Sequence, residues 1–158
     1  MTLKTDKSTF IPNTPLTTAV LFLIFNRPET TQQVFSTIRQ AKPPRLYVAA
    51  DGPRIENPDE ANQCELARSI ATQVDWKCEV KTLFRYQNLG GRLAVSQAID
   101  WFFGQELEGI ILEEDCFPDQ SFFWFCQELL NRYRDDTRIM HIGGTNFQFG
   151  KKRTNYSY

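Results

Sequence analysis

Apolar and polar positions change period several times along this chain, and each change marks an element. "TAVLFLIF" (Thr18 to Phe25) is a continuous apolar run, as in a strand covered on both faces. "RPETTQQVFSTIRQ" then takes up the helical period. Pro28 suits a first helical position, and Thr31, Val34, Phe35 and Ile38 share one face. Pro43 and Pro44 stop that helix, and "RLYVAA" (Arg45 to Ala50) predicts a second strand ending at Asp51. A loop, "DGPRIEN", leads to a helix expected from near Pro58. There Asn57 and Glu60 have the spacing of a capping box, and Ala67, Ile70, Ala71 and Val74 line the inner face.

"CEVKTLFR" (Cys78 to Arg85) alternates polar and apolar residues, the pattern of a strand nearer the sheet edge. "NLGGR" (Asn88 to Arg92) is a turn feeding a helix that reaches about Phe103. A strand at Gly109 to Leu112 follows, then three consecutive carboxylates, Glu113, Glu114 and Asp115. A helix is expected from about Asp119 to Tyr133, its aromatic stripe Phe122 to Phe125 packing into the core, and then a short strand "RIMHI" (Arg138 to Ile142). Strands alternating with helices predict an α/β fold, a Rossmann-like three-layer α/β/α arrangement around a mainly parallel sheet. In such sheets a ligand sits outside the carboxyl ends of the strands. Asn26-Arg27, Asp51-Gly52, Asn88 to Arg92 and Glu113 to Asp115 all fall at those ends, scattered in sequence but gathered by the sheet.

With 158 residues the chain is long enough for one domain or for part of a larger protein. The reading divides it into an N-terminal arm (1–17), a domain (18–150) and a polar tail (151–158). Composition is that of an ordinary globular protein, with 41% hydrophobic and 13% aromatic residues. A formal net charge of −1 argues against a nucleic-acid binder, and Lys151 to Arg153 reads as a solvated cluster. Ala19 to Phe25 is too short to span a bilayer and no cleavage site follows it, so no transmembrane or targeting segment is expected. The four cysteines lack C-x-x-C spacing, which predicts reduced packing thiols in a cytoplasmic protein.

The acidic triplet carries the most chemistry. Adjacent carboxylates repel one another, and burial raises that cost, so something positive is expected beside them. Carboxylate oxygens suit Mg²⁺ or Mn²⁺, with water and ligand phosphate oxygens completing the coordination; the plain alternative is an exposed acidic loop. In an extended chain Glu113 and Asp115 face one way and Glu114 the other, unless the strand turns there. Arg27, next to a proline-started helix, suits a phosphate, or else a surface ion pair with Glu29 or another acid. Asp51 can accept hydrogen bonds from a nucleobase or ribose, or serve as the first residue of an Asp-Gly turn. "NLGGR" offers backbone N–H groups to a phosphate but has neither the Walker lysine spacing nor G-x-G-x-x-G. His141, the only histidine, is expected as a satisfied core residue, and one histidine supports no catalytic triad.

Taken in order, "FNRPETTQQVF", "AADGPR", "NLGGRLAVSQAIDWFF" and "ILEEDCFPDQSFFWFC" resemble the nucleotide-sugar-binding half of GT-A glycosyltransferases. The resemblance covers roughly residues 18 to 150 and is nearest to bacterial family 2-like enzymes and the N-acetylglucosaminyltransferase I type. It implies a donor domain that binds a nucleotide-diphosphate sugar, a UDP-sugar by preference, through Mn²⁺ or Mg²⁺ and transfers the sugar to a glycan or other hydroxyl acceptor. By resemblance Asp115 is the metal ligand, and Glu113 and Glu114 lie against ribose and metal-bound water. Arg27 is then the diphosphate contact and Asp51 the uracil contact, and Arg92 joins the nucleotide-binding set. "GGTN", ending at Asn146, lies near the donor sugar or acceptor. The family's motif is usually Glu-Asp-Asp, so Glu114 is a departure at its middle position. No catalytic base is assigned, and an acceptor-binding half is expected to be missing from this chain. A non-catalytic binding domain that keeps the fold is the competing expectation. A receiver domain would need acids after the first strand, where "FNRP" stands, and a sugar nucleotidyltransferase would need a glycine-rich first loop.

Overall fold

A computed structural model of the chain describes residues 10–57 and 59–144. Strands and helices alternate along them: β1 (Val20–Ile24), α1 (Pro28–Ala41), β2 (Arg45–Ala50), α2 (Glu60–Ala71), β3 (Glu79–Phe84), α3 (Gly91–Phe103), β4 (Ile110–Glu113) and α4 (Gln120–Tyr133). The strands form one all-parallel sheet in the order β3-β2-β1-β4. The fold is α/β and Rossmann-like, with helices on both faces of the sheet.

The side-chain period explains the layers. In β1, β2 and β4 the alternate residues Val20, Phe22, Ile24, Leu46, Val48, Ala50, Ile110 and Leu112 belong to a core shared with α1, α2 and α4. Between them, Leu21, Leu23, Tyr47 and Ala49 face the other way and pack with Ala98 and Phe102 of α3. Apolar residues on both faces are why "VLFLI" reads as an unbroken run, every residue of it buried. β3 pairs only with β2, and its mixed exposure matches its edge position.

Helix α1 begins with Pro28 in its first turn and buries Thr31, Val34, Phe35 and Ile38. It ends where Lys42 adopts a left-handed conformation (φ 52°), just before the two prolines. From β1 the chain steps outward through α1 and α2 to β3. It then crosses back over the opposite face through α3 to place β4 beside β1. Reversing direction while keeping one crossover hand moves the connecting helix to the other face. The strand order therefore switches between β1 and β4, the place where open α/β sheets form ligand crevices.

Several local expectations are corrected. Helix α2 starts at Glu60, after Asp59 in the cap position, and there is no capping box. The Asn57 carbonyl instead accepts the Glu60 N–H at 3.0 Å, while the Glu60 carboxylate turns to the Arg54 guanidinium. A charge-assisted pair outcompetes a neutral cap. The helix ends at Ala71, and Val74 packs on the core from beyond it.

Arg138 to Ile142 does not form a strand. Turn bonds run from Asp136 N–H to Tyr133 and from Ile139 N–H to Asp136, and the Asp136 carboxylate takes both the N–H and the guanidinium of Arg138. The segment joins no ladder, and Met140 stands 94% exposed. His141 is exposed too, and so is not the core residue expected.

The aromatic stripe of α4 packs as expected, with Phe123 fully buried and Phe122, Trp124 and Phe125 against the same core. All four cysteines are free, and burial pushes the Cys126 thiol up to about 11. Residues 10–17 lie along α4: Trp124 Nε1 donates to the Thr14 carbonyl at 2.7 Å, and Thr17 N–H to Gln127 Oε1 at 2.6 Å. No described helix is long and apolar enough to cross a membrane. Asn146 and the basic cluster Lys151 to Arg153 lie outside the described residues.

Candidate functional site

Because all four strands are parallel, their carboxyl ends share one rim, and a cleft of about 400 Å³ opens there against α3. Every strand end contributes: Phe25 and Arg27 after β1, Asp51 after β2, Arg85 after β3, and Glu113 and Glu114 from β4. Gly90, Gly91 and Ala94 of the α3 amino terminus form the opposite wall. The volume lies within the range of small-ligand sites. A larger concavity, about 1420 Å³, runs along α4 beside Phe117 and Trp124. Among the described residues its lining includes no lysine or arginine, in contrast to the rim cleft.

The acidic triplet resolves by turning. β4 ends at Glu113, and a turn begins at Glu114. Glu114 folds inward to 3% exposure, and Asp115 stays in water. The buried carboxylate accepts from the Phe25 N–H at 2.7 Å, the Thr31 hydroxyl at 3.3 Å and Arg27 Nε at 2.7 Å. Arg27 also reaches Asp115 Oδ2 at 3.2 Å. The positive partner that the sequence called for is therefore Arg27 itself, so its ion-pair alternative is realised with acids distant in sequence. The Glu114 hydrogen bond raises the Arg27 pKa against the opposing effect of burial, and the two carboxylate charges add to it. Among the described residues there is no cluster of three or more potential metal ligands. The rim instead presents Glu113 and Asp115 as exposed carboxylates beside the buried Glu114.

Asp51 is 8% exposed and turns its carboxylate on the loop after β3. It accepts the N–H groups of Gly52 at 2.9 Å, Leu89 at 3.0 Å and Gly90 at 3.0 Å. The turn role foreseen for Asp51 is thus present, and it reaches across to shape "NLGG". Gly90 sits at φ 78°, a conformation that suits glycine, and leads into α3. No side chain caps the α3 amino terminus, and its residues Gly91 and Ala94 line the cleft. Gly52 is needed for close approach: a Cβ there would meet the backbone of Gln87 at 2.5 Å. Arg92 is exposed on the first turn of α3 and does not line the cleft.

Three further arginines shape the rim without having been foreseen. Arg54 lines the cleft and is gripped by Glu60, and its guanidinium lies 5.7 Å from the Phe25 ring centre. Glu60, 6% exposed, also takes Asn26 Nδ2 at 2.8 Å. The Arg54 hydrogen bond holds the Glu60 carboxyl down at about 2. Arg68 joins two strand ends, donating to the carbonyls of Asp51 at 3.0 Å and Arg85 at 2.6 Å. Arg85 lines the cleft from the sheet edge. "DGPR" carried a signal for Arg54, because an arginine beside a strand-end turn is a rim residue. Arg68 sits mid-helix, and no local pattern marked it.

The structure thus brings Arg27, Asp51, Glu113 and Glu114 into one cleft, leaves Asp115 outside its lining but paired with Arg27, leaves Arg92 outside as well, and does not describe Asn146. Comparisons with protein-family models, with characterised proteins and with solved structures found no match to this chain.

Proposed function

We propose that this chain is the donor-binding domain of a glycosyltransferase, taking a nucleotide-diphosphate sugar, UDP-sugar by preference, in the rim cleft. The observation that carries the proposal is convergence: cationic Arg27, Arg54 and Arg85, acidic Glu113 and Glu114, and the uncapped amino terminus of α3 line one cleft at the strand-order switch. Arginines and helical N–H groups are the usual partners of a diphosphate. Asp51 and Asn88, which follow β2 and β3, also line the cleft and are the residues assigned to the base and ribose.

A divalent cation beside the cleft is part of this proposal. Asp115, with a side chain 48% exposed, and Glu113 supply the one or two carboxylates that Mg²⁺ or Mn²⁺ takes alongside phosphate oxygens and water. When bound, such an ion offsets charge on the departing diphosphate. The chain's own residues do the rest. Arg27 keeps Glu114 neutralised and presents its second nitrogen edge to the ligand, and Asp51 holds the 88–91 loop that closes the cleft. In the proposed reaction the acceptor oxygen bonds to the anomeric carbon, the bond from that carbon to the diphosphate breaks, and the acceptor hydroxyl loses its proton. No described residue is assigned as the base.

One observation favours a second reading, a non-catalytic domain of the same fold. Arg27 already satisfies both Glu114 and Asp115, and Asp51 already spends its oxygens on three backbone N–H groups. Thermal-shift titration with UDP-sugars and MnCl₂ tests binding, and release of UDP in the presence of glycan acceptors tests transfer. Stabilisation by a UDP-sugar with MnCl₂ supports the donor-binding reading, UDP release in the presence of acceptors shows transfer by this chain, and no stabilisation by any nucleotide supports the second reading.

A further inference from the structure

Strand β4 pairs with β1 on one side and, among the described residues, with no strand on the other. The Ile110 N–H donates to the Ala19 carbonyl at 2.9 Å, and successive residues of a strand turn their backbone groups to opposite edges. Ile111 therefore presents its N–H and C=O to the outer edge. The concavity of about 1420 Å³ along α4 opens at this same edge. Its lining takes in both Ile111 and Leu112, whose side chains go to opposite faces of the sheet. Phe117, 66% exposed, and Phe122 add apolar wall. An open strand edge beside an apolar groove is a template for one more extended segment.

The chain itself leads into this groove. Arg134, just past α4, pairs with Glu108, just before β4, over 3.0 Å, so α4 runs back to the level at which β4 begins. Gly144 then lies against the Phe122 ring in the first turn of α4, so closely that a Cβ there would collide with it. Residues 134–144 thus return toward the carboxyl end of β4, and Gly143 and Gly144 line the groove. The sequence that follows, "TNFQF" at 145–149, alternates polar and apolar side chains, the period of a strand with one covered face. "KKR" comes next, at 151–153. The groove complements it in charge: Asp119 and Glu128 are the acids of its lining, and no described lysine or arginine lines it.

We infer that the groove is the seat of this chain's own residues 145–153, with 145–149 bonded to the outer edge of β4 and Phe147 and Phe149 against the apolar wall. From Gly144 the segment can follow β4 only toward its amino end, so the pairing is antiparallel. Seated there, it closes an edge that would otherwise be open to a second copy of the chain.

The test is amide hydrogen exchange, read residue by residue by NMR on the full chain, for wild type and for Phe147→Asp with Phe149→Asp. In wild type the Ile111 amide is expected to exchange slowly. The double substitution should speed it by at least about tenfold, while Leu112, whose N–H faces β1, stays slow and reports that the sheet is intact. Phe147→Ser with Phe149→Ser serves, with the same outcomes, if the aspartate variant does not fold. An Ile111 amide that exchanges in wild type as fast as exposed loop amides overturns the inference. So does slow exchange that neither variant changes, which would give the edge to residues 1–9 or, if dilution speeds it, to a second copy.

Discussion

Arg27 and Glu114, 87 positions apart in sequence, meet at 2.7 Å beneath the rim, with the carboxylate buried and the guanidinium half in water. Breaking a buried pair from one side leaves a charge without a partner, which costs more than the pair contributes. Arg27→Ala should therefore lower stability by about 1–3 kcal/mol, the half-exposed arginine limiting the loss. Arg27→Ala with Glu114→Gln should recover part of it. Chemical denaturation of both variants checks this, and a double variant no more stable than the single would remove the pair from the account.

Asp51 should behave as the keystone of the 88–91 loop. Asp51→Ala strands the N–H groups of Gly52, Leu89 and Gly90, a loss of about 1–3 kcal/mol. Hydrogen exchange at Leu89 and Gly90 should quicken while exchange in β1 stays slow. Uniform acceleration across the sheet would mean that Asp51 supports the whole fold and not this loop.

The Glu60 carboxyl sits at about 2 in the fold against an ordinary 4.5, held down chiefly by its hydrogen bond to Arg54. A depressed carboxylate contributes stability that is fully present above its unfolded pKa and is lost as pH falls through the folded one. Melting temperature should thus decline between about pH 4.5 and 2, and Glu60→Gln should flatten that decline while lowering stability at neutral pH. An acid limb of unchanged steepness in Glu60→Gln would contradict the Arg54 pairing.

Gly52 lies so near the Gln87 backbone that a Cβ would approach its atoms to 2.5–2.7 Å. Gly52→Ala must push the 85–90 loop away from β2, at a cost of about 1–3 kcal/mol. Because the same loop walls the cleft, UDP affinity should fall as well. A variant of wild-type stability would show that the loop yields freely.

What was legible in the sequence was what short-range periodicity encodes. Thr31, Val34, Phe35 and Ile38 recur at the helical period, so their common buried face could be read directly. The same holds for the unbroken apolar β1 and the alternating edge strand β3. The parallel sheet then follows from alternation, and with it the rim that gathers Arg27, Asp51 and the acidic triplet. Pairings across the fold were not legible. Nothing local says that Glu114 turns inward to Arg27, that Asp51 holds Leu89, or that Arg68 ties β2 to β3. Glu60 went to the wrong partner for the same reason: capping-box spacing is local, whereas its buried contact with Arg54 and Asn26 depends on how β1, the 51–57 loop and α2 come together. Arg138 to Ile142 is apolar enough to read as a strand, but its backbone turns on Asp136 and joins no ladder.

The central claim is that the rim binds a nucleoside diphosphate through a divalent cation on Asp115. Calorimetric titration of UDP into the full chain, with MnCl₂ or with chelator, for wild type and Asp115→Ala, tests it most directly. The account predicts measurable UDP affinity in wild type with Mn²⁺, falling at least tenfold, or about 1.4 kcal/mol, with chelator and again with Asp115→Ala. UDP affinity that is the same in all four conditions, or no UDP binding with Mn²⁺ present, would contradict it.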